Sequence, residues 1–291
     1  MRGAQETAGS ADLRDGNRLP VSVIIITKDE ELAVTRCVES ARNFAETFVV
    51  DSQSSDRTRE LAEAAGATVV DFNWDGGYPK KKQWSLNNLP LSCDWVLLLD
   101  GDEFVPPALE GEIARTVVSG RADVGAYDVP LDYVFAGRLL RHGYRVKKRI
   151  LFRPVSFAFP VLDDLAVVNP FEMELHVQPV AVNGTLKIGQ LKAALGHDDL
   201  EPLAHYFDRH NRYSDWEALL RTRPAAKRAS KDARTRQGQL FSGLPFKPAA
   251  FFAYAYVWKR GFLDGRAGLD YATAQAFYYW QISLKERALR A

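Results

Sequence analysis

The stretch WVLLLDGDEFV, residues 95–105, is an apolar run that ends in three carboxylates, Asp100, Asp102 and Glu103. Carboxylates are costly at the end of a core strand unless something cationic meets them. Asp100 and Asp102 are hard oxygen donors one residue apart, and such a pair suits Mg²⁺ or Mn²⁺, ions that keep waters and share their shell with substrate phosphates. Gly101 between them lets the backbone come close to a ligand. The plainer alternative is a solvated acidic turn in front of the next helix, and the tripeptide alone does not choose between the two.

Other candidates stand at the ends of other apolar runs. Residues 21–26 run into Thr27, Lys28, Asp29 and Glu30, and residues 48–50 end at Asp51, ahead of the hydroxyl-rich loop SQSSDRT. Lys80, Lys81 and Lys82 could hold phosphates or form a solvated face. Residues 171–177, FEMELHV, place Glu172, Glu174 and His176 in alternation, so a strand there would carry them on one face. Taken singly, Asp51 could be a strand-end cap and Glu30 a first-turn acid favoured by the helix dipole.

The elements that must position these residues follow from the patterning. Uninterrupted apolar runs at 21–26 and 95–99 predict strands covered on both faces, the parallel-sheet case. Strands are also expected at 48–50 and 68–71, with helices to about 41 and over 58–65 and 83–89; Ser55 or Asp56 would cap the second. This βαβαβαβ order predicts a doubly wound α/β half whose ligand lies at the carboxyl ends of the strands. No glycine-rich dinucleotide or phosphate loop follows any strand, which argues against dehydrogenases and P-loop enzymes. Further on, a helix at 108–118, strands at 127–133 and 148–152, and a strand-like run at 191–195 before His197 are expected. Arg138, Arg141, Arg145, Lys147, Lys148, Arg149 and Arg153 make residues 138–153 strongly basic, either for solubility or for an acceptor phosphate.

In order, VSVIIITKDEE, VVDSQSSDRT, a lysine-rich segment before a helix, and WVLLLDGDE resemble the family 2 glycosyltransferases of GT-A fold, specifically the lipopolysaccharide-core glucosyltransferase branch. The resemblance covers about residues 20–290, with SQSSDRT where SGSTDGT is usual and PKKKQ where KQRN is commoner. It implies that Thr27 and Glu30 lie beside the nucleotide, that Asp51 binds the base, and that Asp100 and Asp102 hold the nucleotide sugar through Mg²⁺ or Mn²⁺. It also implies a UDP-sugar donor, a lipid-linked glycan acceptor and a late histidine, His197, on the metal. Lys82 joins the donor-binding set. Inverting transfer needs one carboxylate to take the acceptor proton, and Glu174 is the first choice, with Glu172, Asp163 and Asp164 behind it.

With 291 residues, 46% apolar and 26% charged, the chain has the composition of a soluble globular protein. The net charge of +1 hides an asymmetry: residues 1–113 carry 11 Lys and Arg against 20 Asp and Glu, whereas residues 203–291 carry 16 against 7. The acidic half suits metal and the basic half an anionic partner. Cys37 and Cys93, with no CxxC, read as reduced core residues. Residues 1–19 lack an apolar stretch and are expected to be a disordered lead, with residues 20–202 the catalytic domain and 203–291 a helical extension.

In that extension, residues 203–221 have helical aromatic spacing, 221–236 are basic, and 246–262 hold seven aromatics beside Lys247, Lys259 and Arg260. Their 11-residue apolar run falls short of a membrane span, which takes about 20 residues. An aromatic helix with basic flanks suits the headgroup layer of an anionic membrane, and a core helix is the alternative. A peripheral place at the cytoplasmic membrane face follows, with no nucleic-acid partner. Rival readings are a nucleotidyltransferase and a non-catalytic nucleotide-sugar or lipid-binding protein.

Overall fold

The computed structural model describes residues 18–119, 121–167, 170–175, 177–184, 186–197, 202–232 and 246–291. The expected lead lies outside them except for Arg18 and Leu19, and so does His176.

The first half alternates as the patterning requires: β1 (Leu19–Thr27), α1 (Val34–Ser40), β2 (Phe44–Asp51), α2 (Thr58–Ala64), β3 (Thr68–Asp71), α3 (Lys81–Asn88) and β4 (Val96–Asp100). Short β5 (Glu103–Phe104) and α4 (Pro107–Val118) follow, then β6 (Val124–Phe135), β7 (Arg138–Leu139), β8 (Lys147–Phe152), β9 (Phe157–Ala158), β10 (Val180–Ala181), β11 (Lys187–Gln190) and β12 (Leu195–His197). The main sheet runs β3-β2-β1-β4-β8-β6-β12-β5. The first four strands are parallel, and β8 enters antiparallel to both β4 and β6.

β1 is apolar without alternation because both of its faces are covered. Val21, Val23 and Ile25 enter one core with Val34, Cys37, Leu97, Leu109 and Ile113, while Ile24 and Ile26 enter another with Phe48, Val50, Leu98 and Phe152. Each of these side chains is removed almost wholly from water, a gain of about 1.5–3 kcal/mol for a large aliphatic group.

The C-terminal helices pack on the same sheet. α5 (Leu203–Thr222) sends Trp216 and Leu220, and α6 (Pro224–Asp232) sends Ala226, into the second core. The aromatic segment is helical over Lys247–Phe252 and turns π-helical over Ala253–Trp258; after a 3₁₀ turn, Gly261–Asp264, the terminal helix runs Gly265–Arg290.

Three local expectations are corrected. Residues 171–175 form no strand, because the Glu172 carbonyl accepts the Lys81 N–H at 2.8 Å and so docks on a helix start in place of a ladder. The strand expected at 191–195 is broken: β11 ends at Gln190, residues 191–194 are loop, and β12 begins at Leu195 and closes at His197. Lys80, Lys81 and Lys82 form no solvated face: they are 1%, 0% and 9% exposed.

Candidate functional site

Parallel register sets the site. Thr27 lies opposite Asp51 across β1 and β2, and Ile26 lies opposite Asp100 across β1 and β4, so the polar strand ends share one edge of the sheet. The loops after β1 and β2 are zipped together. Asp29 N–H donates to Ser54 Oγ at 2.8 Å, Ser55 N–H to Asp29 Oδ1 at 2.7 Å, and Glu30 N–H to Thr58 Oγ1 at 2.7 Å. Asp29 and Gln53 take left-handed backbone, with φ of 55° and 56°. Single left-handed residues other than glycine are costly and gather at functional loops. Asp56, one of the two expected caps, receives the Thr58 N–H at 2.9 Å.

Asp51 is fully buried. Its carboxylate accepts the Ser54 N–H at 2.9 Å, the Ser54 hydroxyl at 2.5 Å and the Thr27 hydroxyl at 3.2 Å, with Arg59 3.6 Å away. Gly101 is required by packing within the chain, where a ligand was the expected reason: a Cβ there would stand 2.9 Å from Glu30 Cγ and 3.0 Å from Thr27 Cγ2. Glu30 and Thr27 thus pack directly on the Asp-Gly-Asp turn.

The two aspartates have different partners. Asp100 faces Lys148 at 2.7 Å and Lys82 at 3.3 Å, and Lys148 also reaches Glu103 at 2.5 Å. Burial works against the Asp100 charge, yet the two ammonium groups hold its pKa far below the carboxylate range. Glu103 is turned inward and accepts the Asp100 N–H at 2.9 Å; burial pushes its pKa up. Lys148 stays charged against its own burial because Asp100 and Glu103 flank it.

Asp102 points the other way, to His197, with Oδ2 3.0 Å from Nε2. Antiparallel pairing of β12 with β5 sets His197 opposite Glu103, and the Tyr133 ring of β6 stacks on the imidazole at 4.9 Å. Burial lowers the affinity of this ring for a proton, but the Asp102 charge outweighs it and pushes the pKa up to about 9. His197 Nδ1 is buried without a hydrogen-bond partner.

Among the described residues no three His, Cys, Asp or Glu side chains converge as a metal cage. Two donors do converge, Asp102 and His197. A carboxylate and an imidazole are a donor pair that would suit one divalent ion, Mn²⁺ better than Mg²⁺. Asp100 is held in this arrangement by lysines.

Lys81 Nζ donates to the Thr27 carbonyl and lies 3.6 Å from Glu172. Burial lowers its pKa to about 8 against the pull of Glu172 and Asp51. Glu174 is 5% exposed and accepts the N–H groups of Lys82 at 2.9 Å and Gln83 at 3.1 Å, so both of its oxygens cap the first turn of α3. Burial raises its pKa. Asp164 is buried by Lys80, Tyr78 and Trp216, and Asp163 is exposed beside Arg223. Of the four carboxylates expected to include a base, Glu172 is partly exposed and bordered by Lys81.

Residues beyond the expected set complete the surroundings. Tyr213 of α5 feels the charges of Asp100 and Asp102; burial first, then these charges, raise its phenol to about 12, so it stays a donor. Lys148 was visible in sequence only as one cation among seven. Its place follows from strand pairing, since β8 runs antiparallel to β4, pairing at Val96 to Phe152 and Leu97 to Leu151, and so brings Lys148 to the Asp100 end of β4.

The sheet order, with an acidic motif at the end of β4 and a helical C-terminal region, makes this a mixed α/β fold built on a largely parallel first half. Residues 22–158 match the family model described as "Glycosyl transferase family 2". Among similar proteins, an uncharacterized glycosyltransferase of Rickettsia bellii is 38% identical over 104 residues, 35% of this chain and 34% of the relative. The lipopolysaccharide core biosynthesis glycosyltransferase LpsC of Rhizobium meliloti is 30% identical over 116 residues, 37% of this chain and 41% of LpsC. The chain thus spans well under half the length of these relatives. Among solved structures, the mannosyltransferase PcManGT from Pyrobaculum calidifontis, in complex with GDP-Man and Mn²⁺, is 15% identical, with 93% of this chain and 87% of that one covered and a TM-score of 0.49.

Proposed function

We propose that this chain moves a sugar from a nucleotide-sugar donor to a hydroxyl of a lipid-linked glycan, with inversion and with Mg²⁺ or Mn²⁺, in the synthesis of cell-envelope polysaccharide or lipopolysaccharide. The observation that carries the reading is the row of Thr27, Asp51 and Asp100 on one sheet edge beside the Asp102–His197 pair, inside the family 2 segment. Similarity to LpsC supports the lipopolysaccharide assignment. The acidic TKDEE after β1, where a nucleotidyltransferase would carry a glycine- and base-rich phosphate loop, supports transfer of sugar over transfer of nucleotide.

The zipped loops with Thr27, Glu30 and Asp51 take the nucleoside side. Asp102 and His197 would hold the divalent ion, which when bound neutralises the departing diphosphate. Lys82 and Lys148 add fixed positive charge at the same strand end. The acceptor hydroxyl gives its proton to a carboxylate as its oxygen bonds to the sugar carbon and the bond to phosphate breaks. Glu172 takes the base role, since the oxygens of Glu174 are occupied by α3.

Calorimetric titration with UDP, GDP and CDP, each with Mn²⁺ and with EDTA, tests the donor site. One diphosphate should bind with Mn²⁺ and weaken at least about tenfold with EDTA, a loss of about 1.4 kcal/mol; no binding of any would overturn the reading. For the base, Glu172→Gln should lower kcat by about 10²–10⁴ while diphosphate affinity is kept. Glu174→Gln should instead lower thermal stability, because an amide NH₂ would face a backbone N–H of α3. A reversed pair of results would return the base role to Glu174.

A further inference from the structure

The basic segment at 138–145 and the aromatic segment at 246–263 are far apart in sequence and joined in space. Asp264 accepts the N–H groups of Arg141 at 3.2 Å and His142 at 2.8 Å, the Gly143 N–H donates to the Lys259 carbonyl at 2.9 Å, and the Tyr144 ring packs on Phe251 at 5.2 Å. The hairpin after β6 is therefore bolted to the turn between the π-helical stretch and the terminal helix.

That turn is built to point apolar side chains outward. The Lys259 N–H bonds to the Tyr254 carbonyl at 2.8 Å, an i to i−5 step that widens the helix and carries Val257 and Trp258 off the buried face set by Phe251 and Ala255. Arg260 then reverses the chain in left-handed backbone, φ 59°. The turn is closed tightly, since a Cβ on Gly261 would meet the Ala255 carbonyl oxygen at 2.7 Å and one on Gly268 the Gly261 carbonyl oxygen at 1.9 Å. Trp258, Val257, Leu263 and Phe262 are left 78%, 61%, 53% and 47% exposed.

The exposed charges of the turn and the hairpin themselves have one sign. Lys259, Arg260, Arg138 and Arg141 are all exposed, whereas the Asp264 side chain is 9% exposed and spent on the hairpin. A rigid apolar knuckle ringed by cations complements the interface of an anionic bilayer, where Trp and Phe sit at headgroup level and each nearby Lys or Arg adds attraction. The other end of this assembly reaches the candidate site: Tyr133, whose ring stacks on His197, also meets Tyr271 of the terminal helix at 5.6 Å.

We infer that the 257–263 knuckle and the 138–141 hairpin form one docking surface for anionic phospholipid, which sets the Asp102–His197 edge near the membrane. This rests on the reading of a lipid-linked acceptor and names how the chain would reach it. No helix of the described residues is long and apolar enough to cross a membrane.

The test is sedimentation of the full chain with phosphatidylcholine vesicles, with and without phosphatidylglycerol. The chain should pellet with the anionic vesicles and be released by salt. Trp258→Ser with Leu263→Ser should weaken binding about tenfold or more. Arg138→Glu with Arg141→Glu should weaken it at least about fivefold per cation and abolish the preference for phosphatidylglycerol. These side chains are exposed, so each variant should keep the thermal midpoint of the parent. Absence of vesicle binding, or equal binding by the variants, overturns the proposal, as does loss of self-association in the Trp258 variant without any lipid binding, which would make the patch an interface between copies. Diphosphate titration of the same preparations separates the two readings: diphosphate binding without vesicle binding sinks the docking surface alone, and vesicle binding without diphosphate binding sinks the donor site alone.

Discussion

Asp102→Asn should reduce sugar transfer by about 10³-fold or more, roughly 4 kcal/mol of transition-state stabilisation, and should remove Mn²⁺ dependence with it. The carboxylate of Asp102 is the one in the Asp-Gly-Asp turn that no lysine occupies, and its partner is an imidazole. The neutral amide keeps the shape and loses both the anionic donor and the charge that holds His197 up at about 9. The fold should survive, because the Asp102 side chain is 22% exposed and pairs with one residue. Asp100→Asn should behave differently: it leaves Lys148 facing Glu103 alone and Lys82 without its carboxylate, so unfolding by urea should come earlier while Mn²⁺ affinity changes less. Mn²⁺ binding followed by electron paramagnetic resonance, beside turnover, distinguishes the two. An Asp102→Asn protein with parental turnover and parental Mn²⁺ affinity would end the metal assignment.

What could be read in the chain before its structure follows the range of the interactions concerned. The β-α alternation is written in apolar runs of three to six residues, and the strand ends at Thr27, Asp51 and Asp100 are written where those runs stop. Parallel register then aligns them with no further information. The fates of the lysines are set by partners distant in sequence. Lys80 is buried by Asp164, 84 residues on, and the start of α3 by Glu174, 92 residues on. Three adjacent cations leave a phosphate-holding cluster and a solvated face both open until those carboxylates arrive. Lys148 is the same case across an antiparallel pair. The strand expected at 171–177 failed for a related reason: alternating Glu172 and Glu174 looks like a strand face, but both residues meet the N-terminus of α3, where free N–H groups and the positive end of the dipole take carboxylates and carbonyls. His197 was legible as a candidate, while the Tyr133 ring that orients it came only with the pairing of β12 and β6.

Asp164 carries the second large expected effect, on stability. It is 2% exposed, and its carboxylate accepts from Lys80 Nζ at 2.8 Å, from Trp216 Nε1 of α5 at 2.5 Å and from the Tyr78 hydroxyl. It ties the loop before α3 to the first C-terminal helix. Asp164→Ala leaves Lys80, 1% exposed, with its charge uncompensated, and breaking one side of a buried pair costs about 3–5 kcal/mol. Against a total stability of about 5–15 kcal/mol, the thermal midpoint should fall by about 10 °C. The double variant Asp164→Leu with Lys80→Met should recover most of that loss, because it removes both charges. The pH dependence has a definite sign. Burial alone would raise the Asp164 pKa, but Lys80, Tyr78 and Trp216 hold it below the ordinary 3.8. The folded state therefore binds this proton more weakly than the unfolded chain does. Its contribution is fully present above the ordinary value and is lost as pH falls from there through the lowered folded pKa. Urea unfolding at steps from neutral pH to below that range should show the parent losing stability more steeply than Asp164→Asn at the acid end. Parallel acid limbs would mean that Lys80 and α5 are held by something other than this carboxylate.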